Sequence, residues 1–339
     1  MGRMLLSRAW WMARGTWRRT AGEISYHRAA GNVADQVTSR LEGAVPLGDR
    51  VCVFVHFDRA GQVWPHTRRY LTALRQAGLD IILVTNSGTL QPESEAWVLA
   101  HCSRLLLRRN RGYDFGAYRD GIAAMPATPN LLILANDSLY GPLSDLESCL
   151  ARIDFTTADI WGLTDSWQHR FHLQSFFLAF GPAALAHPAF HPYWAGVRNL
   201  GSKWAAVRFY ELRMTAAFQA AGLRCAALWD YLSLIDVMQS VAESPEPGTN
   251  PDLEEQALRR MAKAAVWCAD RRIPMNPSSD LWLALLQQGF PFLKRELLRQ
   301  NPGRVPHLLA WHRRVKQANQ DAYGEIVADL QRALRNRTP

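Results

Sequence analysis

The chain has 339 residues, 48% of them hydrophobic and 20% charged, with a formal net charge of +9. That balance excludes collagenous, disordered and disulfide-scaffold classes, and the length allows one sizeable core, with or without a smaller helical unit. The basic excess admits nucleic acid, an anionic membrane surface or phosphorylated substrates as partners. No recognised nucleic-acid motif occurs and the arginines are spread along the chain, so nucleic acid is not expected.

Met1 to Thr20 combines Trp10, Trp11 and Trp17 with Arg14, Arg18 and Arg19. The arginines interrupt the apolar part, which argues against a secretory signal. The segment reads as an amphipathic helix, suited either to an anionic membrane or to the protein's own core. No run of about 18 apolar residues occurs, so no spanning helix is expected. The scattered Cys52, Cys102, Cys149, Cys225 and Cys268 form no C-x-x-C pair and fit a reducing cytosol.

Residues up to about Arg50 read as helical. From there apolar runs alternate with helix-period segments. Strands are expected at Val51–Phe57, Ile81–Thr85, Ser103–Leu107 and Leu131–Ala135, with helices at Thr67–Ala77, up to His101, and at Phe115–Ala124. This alternation implies an α/β fold with a mostly parallel sheet covered on both faces. Further strands are expected at Asp159–Leu163, Ser175–Phe180 and Cys225–Leu228, and a helix at Tyr210–Ala221. Ser244–Asn250 reads as a linker. Beyond it helices are expected at Asp252–Asp270, Leu281–Leu285, Phe290–Leu298 and Pro306–Arg335.

Ligands of open α/β sheets sit beyond the carboxyl ends of the strands. Here His56 and Asp58 end the first strand, Asn86 and Ser87 the second, Asn110 and Arg111 the third, Asn136 and Asp137 the fourth. In Arg111-Gly112-Tyr113-Asp114-Phe115-Gly116, glycines flank an acid at a helix start amid arginines, which suits a diphosphate and a ribose or sugar hydroxyl. In Asn136-Asp137-Ser138, hard oxygen ligands at a strand end suit Mg²⁺ or Mn²⁺; the same residues are also good turn chemistry. Trp161, Asp165, His172 and Gln174 are candidates for an acceptor pocket. His169 and His172 lack the further ligands of a zinc site.

Together the motifs resemble the rhamnan synthesis protein F family. The matching segments are Val51–Asp58, Arg111–Ala117, Asn136–Pro142, Gly162–Ser166, His172–Phe177 and Gly289–Leu298, across roughly Val51 to Pro302. The resemblance implies a GT-A-like, Rossmann-type glycosyltransferase fold with helical N- and C-terminal extensions. Three regions are expected: residues 1–45, a helical extension outside the resemblance that suits either a membrane surface or the protein's own core; 46–243, the nucleotide-sugar-binding domain; and 251–339, a helical region completing the site.

The resemblance further implies a nucleoside diphosphate sugar donor, held by His56, Asp58, Arg111, Gly112, Asp114, Gly116, Asn136 and Asp137, with Asp137 as metal ligand and catalytic residue. Asn136 stands where the family pattern has a second acid, which puts metal dependence in question. Related inverting transferases carry an acid about eleven positions before a helix-ending glycine, and Glu211 and Gly222 have that spacing; Glu211 is then the catalytic base. Lys294 and Arg295, with Glu296, read either as closing over the diphosphate or as a structural helix start. The expected activity is sugar transfer, with rhamnose first, onto a polysaccharide or lipid-linked acceptor at the cytoplasmic face of the membrane. The competing expectation is a catalytically silent carbohydrate-binding scaffold.

Overall fold

The apolar runs form the centre of one mixed sheet. The computed structural model describes residues 20, 23, 24, 26–29, 32–245 and 252–335. Its strands are β1 (Val37–Glu42), β2 (Arg50–His56), β3 (Asp80–Thr85), β4 (Arg104–Arg108), β5 (Leu131–Asn136), β6 (Leu139–Tyr140), β7 (Ile160–Ser166), β8 (His172–Leu173), β9 (Phe177–Phe180), β10 (Cys225–Trp229) and β11 (Leu293–Lys294). The longer helices are α1 (Pro65–Gln76), α2 (Pro92–His101), α3 (Tyr113–Ala123), α4 (Leu212–Ala220), α5 (Tyr231–Glu243), α6 (Leu253–Asp270), α7 (Trp311–Ala318) and α8 (Gln320–Arg335).

Nine strands make the main sheet, in the order β1-β4-β3-β2-β5-β9-β7-β10, with β8 on β7. β2 pairs in parallel with β3 on one side and with β5 on the other. The strand order therefore reverses at β2, and the carboxyl ends of β2 and β5 are the place where such sheets bind ligands. β9 is antiparallel to both β5 and β7, and β10 runs parallel to β7. β2, β3, β4, β5, β7 and β10 thus share one direction. The sheet is mostly parallel, as expected.

Successive residues of β2 point to opposite faces. Cys52 and Phe54 meet Tyr70, Leu71 and Leu74 of α1. Val51, Val53 and Val55 meet Phe115, Tyr118 and Ile122 of α3. Burial on both faces explains why the strand is apolar throughout. A third cluster, with Trp282, Trp311 and Ile326, joins the C-terminal helices to Tyr140 of β6.

Two sequence expectations are corrected. Val37–Glu42 is a strand, antiparallel to β4. Its side chains alternate between half-buried and exposed, the period of an edge strand. Phe290–Leu298 is not one helix. Gly289 has φ +81°, and Pro291 has no N–H to give to a helix, so the chain extends through β11 before a short helix, Arg295–Arg299. β11 pairs with β6 through Leu293–Tyr140 and Lys294–Leu139.

The membrane expectation for Met1 to Thr20 lies outside the described residues apart from Thr20, as does most of the 244–250 linker. Among the described residues no helix is long and apolar enough to cross a membrane.

Asp329 of α8 locks the C-terminal helices to β6. It is 1% exposed and accepts hydrogen bonds from Arg299 Nε (2.9 Å), Arg332 Nη2 (3.1 Å) and the Tyr140 hydroxyl. Burial raises its pKa, but the neighbouring charges and the Tyr140 and Arg299 hydrogen bonds win and hold it at about 2. A depressed folded-state pKa stabilises above the unfolded value of about 3.9, and that contribution is lost as pH falls towards 2. Asp329→Asn removes the counter-charge shared by the half-buried Arg299 and Arg332, so it should cost about 2 to 3 kcal/mol at pH 7. In denaturant unfolding the deficit should shrink between pH 4 and pH 2; a deficit constant over that range would contradict the assignment.

Candidate functional site

The β4–α3 loop is built around a buried arginine. Arg108, fully buried at the end of β4, donates from Nε to Asp120 (3.0 Å), from Nη1 to Asn86 Oδ1, and from Nη2 to the Arg111 carbonyl (2.8 Å). Asp120 also receives Arg119, which reaches the Val197 carbonyl at 2.6 Å. This network fixes the loop, and Gly112 leads into α3 at φ +83°. A Cβ at Gly112 would lie 2.7 Å from Asn199 Oδ1, and one at Gly116 would lie 3.1 Å from the same atom. Both glycines therefore make room for the protein's own Asn199, where ligand approach was expected. Arg111 keeps its side chain exposed.

Asp114, in the first turn of α3, accepts a hydrogen bond from Asn136 Nδ2 at 3.2 Å. Burial, then the charges of Asp137 and Glu211, raise its pKa to about 6, while Lys203 and Arg108 oppose the rise. Three acids from three elements thus share one field. Asn136 Oδ1 accepts from the Ser138 N–H (3.1 Å) and hydroxyl. Asp137 Oδ2 accepts from the Phe57 N–H (3.3 Å) and from Arg295 Nη1 (3.0 Å). Arg295 Nη1 also bonds the Asp137 carbonyl, and the Arg295 N–H donates to the Ser138 carbonyl at 2.8 Å. The β6–β11 ribbon therefore brings Lys294 and Arg295 to the Asn136-Asp137-Ser138 turn.

Glu211 ends a π-helical turn, Val207–Glu211, that runs into α4. Such turns re-aim a side chain and cluster at functional sites. Glu211 Oε2 accepts a hydrogen bond from the Ser175 hydroxyl. Tyr118 of α3 holds the Ser175 carbonyl at 3.0 Å, and Thr215 of α4 holds the Leu173 N–H at 2.9 Å. Burial lowers the pKa of Lys294, with the charge of Glu211 opposing it. Lys203 pairs with Glu296 at 3.5 Å. Ser175 lay inside a quoted motif without a role, and no sequence signal marked Lys203.

The other expected residues have local duties. His56 is buried between Thr85 Oγ1 (3.0 Å) and the Gln62 carbonyl (3.1 Å), and burial keeps it neutral by lowering its pKa. The Asp58 carboxylate organises its own turn, accepting from the N–H groups of Ala60 (2.9 Å) and Gln62 (3.1 Å) and from Trp64 Nε1 (2.9 Å). Trp161 lies towards the amino end of β7, away from this edge. Its Nε1 donates to the Asp154 and Ala158 carbonyls. Asp165 is buried and accepts from the Tyr231 N–H at 2.6 Å, at the start of α5; burial raises its pKa to about 6. His172 Nδ1 lies 2.8 Å from the Arg170 carbonyl. Gln174 bonds Thr164 Oγ1 (2.7 Å) and Asn276 Oδ1 (3.3 Å). The edge thus collects Asp114, Asn136, Asp137, Glu211, Lys294 and Arg295, and leaves Trp161 out.

A divalent ion does not fit this donor set as it stands. Asp137 is ion-paired to Arg295, and the Asn136 oxygen holds the Ser138 turn. Among the described residues no three His, Cys, Asp or Glu side chains are grouped to hold a metal.

The rhamnan synthesis protein F family model matches residues 81–243, which bears out the resemblance carried by the motifs. A protein of Sinorhizobium fredii, y4gN, is 28% identical over 220 residues, covering 63% of this chain; the match spans 56% of that relative's length. Virulence protein VirA of Vibrio anguillarum is 27% identical over 268 residues, 76% of this chain and 82% of the relative. Among solved structures, a mannosyltransferase of Pyrobaculum calidifontis in complex with GDP-Man and Mn²⁺ aligns over 96% of this chain and 98% of its own. Its identity is 13% and its TM-score 0.34, too distant to bear on function.

The raised pKa of Asp114 has a testable consequence. A carboxyl that binds its proton more tightly folded than unfolded lowers stability progressively between its unfolded pKa of about 4 and its folded value. Asp114→Asn should therefore be more stable than wild type at pH 7.5, by about 1 kcal/mol or more in denaturant unfolding. The advantage should shrink as pH falls and vanish below about pH 3, where the acid is neutral in both states. No gain at pH 7.5 would show that Asp114 is not strained.

Proposed function

We propose that the chain is a glycosyltransferase that moves a sugar, rhamnose first among candidates, from a nucleoside diphosphate sugar onto a bacterial surface polysaccharide or lipopolysaccharide precursor. The observation that carries this reading is the convergence of Asp114, Asp137, Glu211 and the Lys294–Arg295 pair at the carboxyl edge of the β2–β5 crevice. The match to the rhamnan synthesis family supports the polysaccharide setting.

In this reading the nucleoside lies along the β2–β5 crevice, with Asp114 facing a hydroxyl of the donor. The diphosphate faces Arg295 and Lys294. Glu211 is the general base: the Ser175 hydroxyl holds Oε2 and leaves Oε1 to take the acceptor proton. The acceptor oxygen then bonds to the anomeric carbon from the face opposite the diphosphate. The bond from that carbon to the phosphate oxygen breaks, and its electron pair leaves with the nucleoside diphosphate. The sugar is transferred with inversion. Asp165, His172 and Gln174 shape the acceptor side by holding the β7–β8 hairpin. The tryptophan- and arginine-rich Met1–Thr20 sequence supports peripheral contact with an anionic cytoplasmic membrane surface.

The test is turnover of nucleoside diphosphate sugars, followed by mass spectrometry of released nucleotide and of glycan product. Glu211→Gln should lower kcat by about 100-fold or more, the scale of a lost general base, with donor affinity nearly unchanged. Full activity in Glu211→Gln would remove that residue from the base role. Donor binding with no turnover by the wild type across donor and acceptor panels would favour the silent scaffold.

A further inference from the structure

We infer that side chains of the C-terminal ribbon, Arg295 and Lys294, and not a divalent cation, meet the charge of the donor diphosphate. This rests on the donor-site reading proposed above.

Asp137 is already engaged. Its Oδ2 receives the Arg295 guanidinium and the Phe57 N–H, and its carbonyl receives the same guanidinium nitrogen. Arg295 is anchored there by backbone pairing as well, because its own N–H bonds the Ser138 carbonyl beside β11. A divalent ion on Asp137 would have to lie against this guanidinium and repel it. The turn itself supplies no second acid, because position 136 is an amide with its oxygen bound to Ser138 and its nitrogen held by the neighbouring Asp114.

The cations, by contrast, are short of partners. Arg295 Nε is buried with no hydrogen-bond partner. Arg295 Nη2 makes no hydrogen bond to any described residue. Lys294 reaches only Ser278 Oγ, at 3.4 Å, and has no carboxylate at ion-pair distance among the described residues. Desolvated cations of this kind are stabilised by an arriving anion. A diphosphate between Lys294 and Arg295 would supply it, and the guanidinium would then be shared between Asp137 and a phosphate oxygen.

The experiment is isothermal titration of the full chain with uridine, guanosine, adenosine and thymidine diphosphates, each in EDTA and in Mn²⁺. Wild type should bind one of them with affinities within about threefold in the two conditions, where full metal dependence gives tenfold or more per 1.4 kcal/mol. Arg295→Ala and Lys294→Gln should each weaken binding about tenfold or more in both conditions, and Arg295→Lys should recover part of the loss. Melting of each variant without ligand checks its fold, and the wild-type comparison stands even if Arg295→Ala does not fold. Binding that appears only with Mn²⁺ would overturn the inference while keeping the donor site. Binding unchanged in both folded variants would also overturn it. No binding of any nucleoside diphosphate in either condition would overturn the donor-site reading, and the inference with it.

Discussion

The tie between Arg295 and Asp137 joins two halves of the molecule that the sequence places 158 residues apart. Asp137 belongs to the turn at the end of the central strand β5. Arg295 follows the two-residue strand β11, which pairs with β6 immediately after that turn. One short ribbon therefore sets where the C-terminal helices meet the sheet and puts two cations at the crevice. Burial of Asp329 against Tyr140, Arg299 and Arg332 holds the far side of the same junction. A buried carboxylate with several charged and hydroxyl donors is strongly specified in position, because any displacement strands charge in a low dielectric.

The opposite edge of the crevice follows the same logic. Arg108, Arg119 and Asp120 are buried and mutually bonded, and they fix the loop that presents Asp114. Asp114 is the member whose burial is not compensated, so its pKa rises. Lys294 is its counterpart among the cations, lowered by burial. Uncompensated groups of both signs facing one crevice are what a site awaiting a charged, hydroxyl-bearing ligand requires. The buried pairs behind them give the rigidity that lets such groups stay in place.

Much of this architecture was readable from apolar runs. β2, β3, β4 and β5 are covered on both faces, so their sequences are continuous and unmistakable, and the polar residues after each strand named the edge. Val37–Glu42 escaped because an edge strand with one half-buried face carries little apolar signal. Phe290–Leu298 escaped because a run of buried apolar residues, Phe290 and Phe292 in the sheet core and Leu293 and Leu297 in the C-terminal cluster, suits a helix as well as a strand, and only Gly289, Pro291 and the distant partner Tyr140 decide for a strand. At the site, side-chain chemistry alone could not separate ligand groups from local organisers. Asp58 and Asp114 look alike in sequence; one bonds three donors of its own turn, and the other is left facing two further acids. Trp161 lies back from the edge because β7 runs on to Ser166, three residues beyond the expected end at Leu163. Glu211 stood out only through a spacing shared with a family, and its π-helical turn and Ser175 partner are visible only in three dimensions.

The central claim is that a donor diphosphate sits between the Asp137 turn and the Lys294–Arg295 ribbon, facing Glu211. The most direct measurement is a crystal structure with a bound nucleoside diphosphate, grown with Mn²⁺ and measured at the manganese absorption edge. The expected result is phosphate density in contact with Arg295 and Lys294, and no anomalous peak beside Asp137. A manganese peak bridging Asp137 and the phosphates, with Arg295 turned away, or phosphate density at another place on the molecule, would contradict it.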